Sequence, residues 1–165
     1  MRKKILWLTE TAGMLALLLA LQWATKPAGQ LVTGSCVNTV LAISALVIGL
    51  SGGLTVAILS PVFAYFLGIS PNLLALPAIM AGNALFVTAL KLLDGKQLWK
   101  KGIAWLTAAV TKFAAIYVLV AWLICGWNVA AFPAAFSWPQ LVTALIGGGI
   151  ALAIATPIKK AIHRR

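Results

Sequence analysis

Among the polar side chains that fall inside long apolar runs of this 165-residue chain, Asn38, Asn83 and Lys112 stand out. Lys112 lies about nine residues into the run 103–126, near mid-depth of a membrane helix at about 1.5 Å per residue. An ammonium in hydrocarbon is costly and needs a partner. Three readings stay open for it. It binds an anionic group of a ligand, it forms a structural ion pair with Glu10 of the first run, or it snorkels to the interface. Asn83, in Ala81-Gly82-Asn83, brings an amide that must be hydrogen-bonded, either as a helix–helix clip or as a ligand contact. Asn38 closes the segment Gly34-Ser-Cys-Val-Asn38, as a helix-start residue or as the lining of an outward cavity. These three are the candidate substrate-binding residues, with Gln22 and Gln30 as weaker ones. Pro61 of Ser60-Pro61 leaves the carbonyl of Ala57 without its helical donor, which is tolerated in a membrane only against protein or a wet cavity. Gly147 to Gly149 permit close backbone approach, with packing as the default reading.

The chain offers little else that could react. It has one histidine, His163, and two cysteines, Cys36 and Cys125, too few for most metal or redox centres. No Ser-His-Asp set, paired carboxylates or phosphate loop can be assembled. The expectation is no catalytic residue, no metal and no cofactor of its own, so not an enzyme. Cys36 and Cys125 fall near the same face, where a disulfide or, in preference, two thiols is expected.

The elements that must position these residues follow from composition. Hydrophobic residues make up 62% and charged residues 9%, with mean hydropathy +1.03, against about 45–50% and about 25% in soluble domains. The chain is expected to be an all-α integral membrane protein, one domain over 1–165, with a bundle of six transmembrane helices. The runs are 5–24, 37–50, 54–67, 73–93, 103–126 and 139–156. Gly49-Leu50-Ser51-Gly52-Gly53 ends the second and Pro157 stops the last. The second and third are short, either short helices or one re-entrant hairpin; both options leave the other spans oriented alike.

Net charge is +11. The basic residues cluster between apolar runs, which points to topology signals and anionic lipid rather than nucleic acid. Eleven of the thirteen lie on one side: Arg2 to Lys4, the loop from Lys91 to Lys101, and the tail from Lys159 to Arg165. Lys26 stands alone on the other. The positive-inside rule then places both termini in the cytoplasm. The seven tryptophans fall near span ends, as an aromatic belt requires. A cleaved signal peptide is the weaker rival, because Trp23 and Lys26 crowd the expected cleavage site. No internal repeat supports an inverted-repeat carrier. The outer loops 25–36 and 127–138 are nearly uncharged and form either a lid or plain interfacial packing.

Ala12, Ala16 and Ala20, with Ala24, form a small-residue stripe on the first helix, suited to close approach by a neighbouring helix inside or outside the bundle. Glu10 lies roughly 200° from Ala12 and faces away from that stripe.

The combination resembles the substrate-binding S component of energy-coupling factor (ECF) transporters, over nearly the whole chain. The resemblance rests on six short spans with cytoplasmic termini, the stripe Ala12-xxx-Ala16-xxx-Ala20, Gly34-Ser-Cys-Val-Asn38, the run from Gly52-Gly53 to Ser60-Pro61, and Pro77 to Gly82-Asn83. It implies a multi-pass protein of the bacterial plasma membrane that binds a vitamin-like micronutrient from outside. It implies docking through the alanine stripe onto a transmembrane coupling subunit driven by two ATPase subunits, which hold the ATP. The metal-transporting relatives begin with Met-His; this chain begins Met1-Arg2, which argues against cobalt or nickel. The alternative is a non-transporting membrane accessory or assembly protein, with a closed bundle and a Glu10–Lys112 pair.

Overall fold

A computed structural model describes residues 1–69, 73–128 and 133–162. Residues 70–72, 129–132 and 163–165 lie outside the described residues. The described chain is helical throughout: α1 is Arg2–Thr25, α2 Gln30–Val47, α3 Leu50–Phe66, α4 Leu76–Leu92, α5 Leu98–Leu123 and α6 Trp138–Ile162. Five of these are long and apolar enough to cross a membrane; α3, at 17 residues, is a shorter apolar helix.

The boundaries depart from the sequence expectation in instructive places. α2 begins at Gln30, seven residues before the expected 37, so Gly34, Ser35 and Cys36 are helical. Hydroxyls soften the polarity that suggested a loop: Ser35 Oγ donates to the Leu31 carbonyl at 2.7 Å and Thr39 Oγ1 to the Ser35 carbonyl at 2.8 Å, so they need no external partner. The break between α2 and α3 falls at Ile48-Gly49, where Gly49 takes φ +112°, a conformation that favours glycine. Gly52 and Gly53, expected to end the second span, lie inside α3 and are buried. α2 and α3 are thus two separate helices, of which α2 is long and apolar enough to cross a membrane and α3 is a shorter apolar helix. α6 continues past Pro157 to Ile162 rather than stopping there. A proline removes one donor, and the remaining bonds of the helix carry it through. Pro61 likewise sits inside α3.

Alternating helices run up and down, so the start of α1 and the end of α6 lie at one end of the bundle. Short turns around Lys26–Ala28 and Gly68 join helices at the other end. α2 is the central element. It packs most extensively on α6 and also contacts α1, α3 and α4, while α5 lies between α4 and α6. The core is built largely from small side chains, among them Ala42, Ala45, Ala57, Ala104, Ala108 and Ala144, with Phe86 the largest fully buried residue. Small residues let backbones approach closely, the usual source of helix–helix contact where solvent supplies no hydrophobic drive. The outside is apolar: Leu17, Phe63, Leu85, Val110, Val118 and Ile146 are all exposed. Such a surface is compatible with a multi-pass membrane protein.

Candidate ligand-binding cavity

Two glycines bring the polar residues together. An added Cβ at Gly82 would collide with the Ile116 side chain, so α4 lies hard against α5 one residue before Asn83. At Gly147 an added Cβ would lie 2.5 Å from the Ser35 carbonyl oxygen and 2.6 Å from Asn38 Cβ, so α6 lies on the backbone of α2 beside Asn38. Asn38, Asn83 and Lys112 meet inside the bundle as a result, each no more than 3% exposed. Lys112 Nζ donates to Asn38 Oδ1 at 2.5 Å and to Asn83 Oδ1 at 2.7 Å. The same ammonium stands 5.6 Å from the centre of the Phe86 ring, close enough for a cation–π contribution. Asn38 Nδ2 donates to Thr143 Oγ1 at 3.2 Å, and that hydroxyl donates to the Gln140 carbonyl at 3.2 Å. Four helices therefore tie into one network, each fixing the orientation of the next side chain.

The network forms the base of a cavity of about 410 Å³, within the size range of small-molecule sites. Val37, Ile79 and Phe136 supply apolar wall. Gln22, Thr33 and Gln140 supply polar wall, and Lys26, Gln30 and Ile69 lie toward the mouth. The mouth is at the loop end of the bundle, opposite the chain termini. Asn38, Asn83 and Lys112 lie eight, seven and eleven residues from that end of their helices, or about 10–16 Å deep at 1.5 Å per residue. Gln140 is positioned by its own loop, with Nε2 donating to the Ala135 carbonyl at 2.9 Å. Lys26 Nζ donates to the Gly68 carbonyl at 2.9 Å and pins the α1–α2 turn to the end of α3.

Among the described residues the cavity is lined by two lysines and no carboxylate. Lys112 forms no ion pair with Glu10. α1 packs on α2 and α3, whereas the Lys112 side chain turns to α2 and α4. Glu10 Oε1 is buried with no hydrogen-bond partner among the described residues, together with Thr11 Oγ1 and Ser60 Oγ. Cys36 and Cys125 are not bridged. Ala12, Ala16 and Ala20 are all exposed on the outer face of α1.

Sequence reasoning missed Thr143, Gln140 and Phe86. Thr143 and Gln140 stand three apart in the first turns of the last span, so they share a helix face; that spacing was the available signal. Phe86 gave none, since an aromatic residue in an apolar span is ordinary core. Gln22 and Gln30, weak from sequence, both line the cavity.

Among the described residues no group of three or more His, Cys, Asp or Glu side chains is placed to hold a metal ion. Comparison with protein-family models, with curated proteins and with solved structures finds no match.

Proposed function

We propose that the chain is a membrane receptor for a small vitamin-like micronutrient, the substrate-specific S component of an ECF-type importer in the bacterial plasma membrane. The observation that carries this reading is the cavity of about 410 Å³ with Lys112, Asn38 and Asn83 at its base, opening opposite the termini. With nine of the eleven basic residues among the described ones at the end of the bundle opposite the mouth, the positive-inside rule turns the mouth to the outside. A ligand would enter from there and rest near mid-bilayer. The exposed stripe of Ala12, Ala16 and Ala20 offers α1 as the docking face for a coupling subunit, because small side chains admit a second helix to close range. Two ATPase subunits would supply the energy and hold the nucleotide. The accessory-protein alternative called for a closed bundle with Lys112 neutralised by Glu10, an arrangement the residues do not adopt.

The test is a tagged pull-down from membranes that also hold an ECF coupling subunit and its ATPases. Recovery of the complex, lost on Ala16→Trp with the receptor still folded, is the expected result. Absence of the complex from several such modules, with the protein inserted and folded, overturns the assignment.

A further inference from the structure

The donors left over at the base of the cavity specify what the ligand must present. An ammonium has three N–H donors. Lys112 uses two of them, on Asn38 Oδ1 and Asn83 Oδ1. Each amide oxygen is thereby engaged. Asn38 Nδ2 spends one of its two N–H donors on Thr143. What remains unbonded among the described residues is one N–H of Lys112, the second N–H of Asn38 and the Nδ2 group of Asn83, on residues that line the cavity. The base therefore offers donors and asks for acceptors. Charge makes the same demand. Among the described residues no carboxylate lines the cavity, and a desolvated ammonium held only by neutral amides is electrically uncompensated. A cationic ligand would be repelled by Lys112 and again by Lys26 at the mouth.

We infer that the ligand of this cavity is a monocarboxylate, bound with its carboxylate oxygens on Lys112 Nζ and Asn83 Nδ2 at the base and an apolar or aromatic body against Val37, Ile79 and Phe136. A phosphate fits worse. Phosphate groups are met by Arg forks or by free backbone N–H groups at helix starts. Among the described residues no Arg lines the cavity, and at its base Asn38, Asn83 and Lys112 all sit in helix interiors whose backbone N–H groups are spent, the start of α2 at Gly29 and Gln30 lying toward the mouth. One lysine hydrogen and one amide hydrogen suit two carboxylate oxygens. The polar wall of Gln22, Thr33 and Gln140 would meet a hydrogen-bonding group at the far end of the molecule. This inference names the substrate class for the receptor reading and rests on the cavity being its ligand site.

The test uses purified full-length protein in lipid nanodiscs, without any coupling module, so that it is separate from the pull-down. Thermal shift and titration calorimetry compare a panel of aromatic and aliphatic monocarboxylates with their matched primary amides, and with inorganic phosphate. At least one acid is expected to bind about ten-fold or more tighter than its amide, the size of one charge-assisted hydrogen bond. Asn83→Asp supplies Lys112 with an internal counter-ion while keeping the side chain's shape. It is expected to retain the folded state and to abolish the acid preference; Lys112→Met is expected to abolish it as well. Amides binding as tightly as acids, phosphate outcompeting every acid, no acid binding at all, or an acid preference that survives Asn83→Asp each overturns the inference. Acid binding without capture of a coupling subunit would sink the transporter assignment and leave the ligand class standing; capture without acid preference would do the reverse.

Discussion

The three consecutive glycines of α6 give a graded test of how the site is held. At Gly147 an added methyl would sit 2.5 Å from the Ser35 carbonyl oxygen, 2.6 Å from Asn38 Cβ and 2.7 Å from the Thr39 nitrogen, two of them backbone atoms that no rotamer can move. At Gly149 the nearest atom is Trp105 Cζ2 at 3.4 Å, an ordinary contact. Gly→Ala in a helix interior otherwise gains about 0.5–1 kcal/mol. Gly149→Ala should therefore be neutral or stabilising by up to that amount. Gly147→Ala needs α6 to retreat from α2 by about 1 Å, and gaps of that size forfeit about a quarter to a half of each contact along an interface. Overpacking of this kind costs about 1–3 kcal/mol. The two variants should differ by about 1–4 kcal/mol. At about 2–4 °C per kcal/mol for a chain of this length, Gly147→Ala should lose its fold about 2–16 °C below Gly149→Ala. The assay is thermal loss of the monodisperse peak in size-exclusion chromatography, both variants in the same detergent. The retreat also draws Thr143 from Asn38, whose hydrogen bond is already 3.2 Å long, so Gly147→Ala should weaken ligand binding as well. Equal melting of the two variants, or the reverse order, would refute the close α2–α6 contact as the element that positions Asn38.

Other outcomes follow from the same geometry. Asn38→Leu leaves Lys112 and Thr143 each short of a partner, and a buried donor left unmade costs about 1–3 kcal/mol; the melting temperature should fall, and Asn38→Asp should restore much of it. Trp105→Phe removes the bond from Nε1 to the Leu145 carbonyl, 2.9 Å long, and should cost about 0.5–1.5 kcal/mol in the same melt. Alkylation of the unfolded chain without reductant should add two adducts by mass, one each at Cys36 and Cys125; an unmodified mass would show a disulfide. Reporters fused after residue 165 should be active in the cytoplasm, and a cysteine introduced at Ala28 should react with a membrane-impermeant reagent from outside. The opposite pattern would invert the protein and close the cavity to an external ligand.

Much of the architecture was legible in the residue order. Six apolar runs separated by turn residues led to six helices, because an apolar segment must satisfy its own backbone and helix is the local way to do so. The small-residue stripe of α1 and the placing of Glu10 on its other side needed only the helical period. Lys112, Asn38 and Asn83 stood out because polar groups inside apolar runs are costly wherever they end up. Helix ends were the weaker part. Gly34 to Cys36 read as loop and Pro157 as a stop, yet hydroxyl back-bonding and the packing of α2 on α6 carry both segments through as helix.

The identity of Lys112's partner was beyond any local rule. Depth along a helix put Glu10 within conceivable reach, and composition made it the natural counter-ion. The choice is made by which helices touch. α1 is held on α2 and α3, and Gly82 and Gly147 bring α4 to α5 and α6 to α2. Two amides from helices 45 residues apart in the chain thus reach the ammonium first. Spacing in sequence sets the height and bearing of a side chain on its own helix. Only the packing of separate helices sets the distance between side chains, and with it the cavity, its charge and the donors left free at its base.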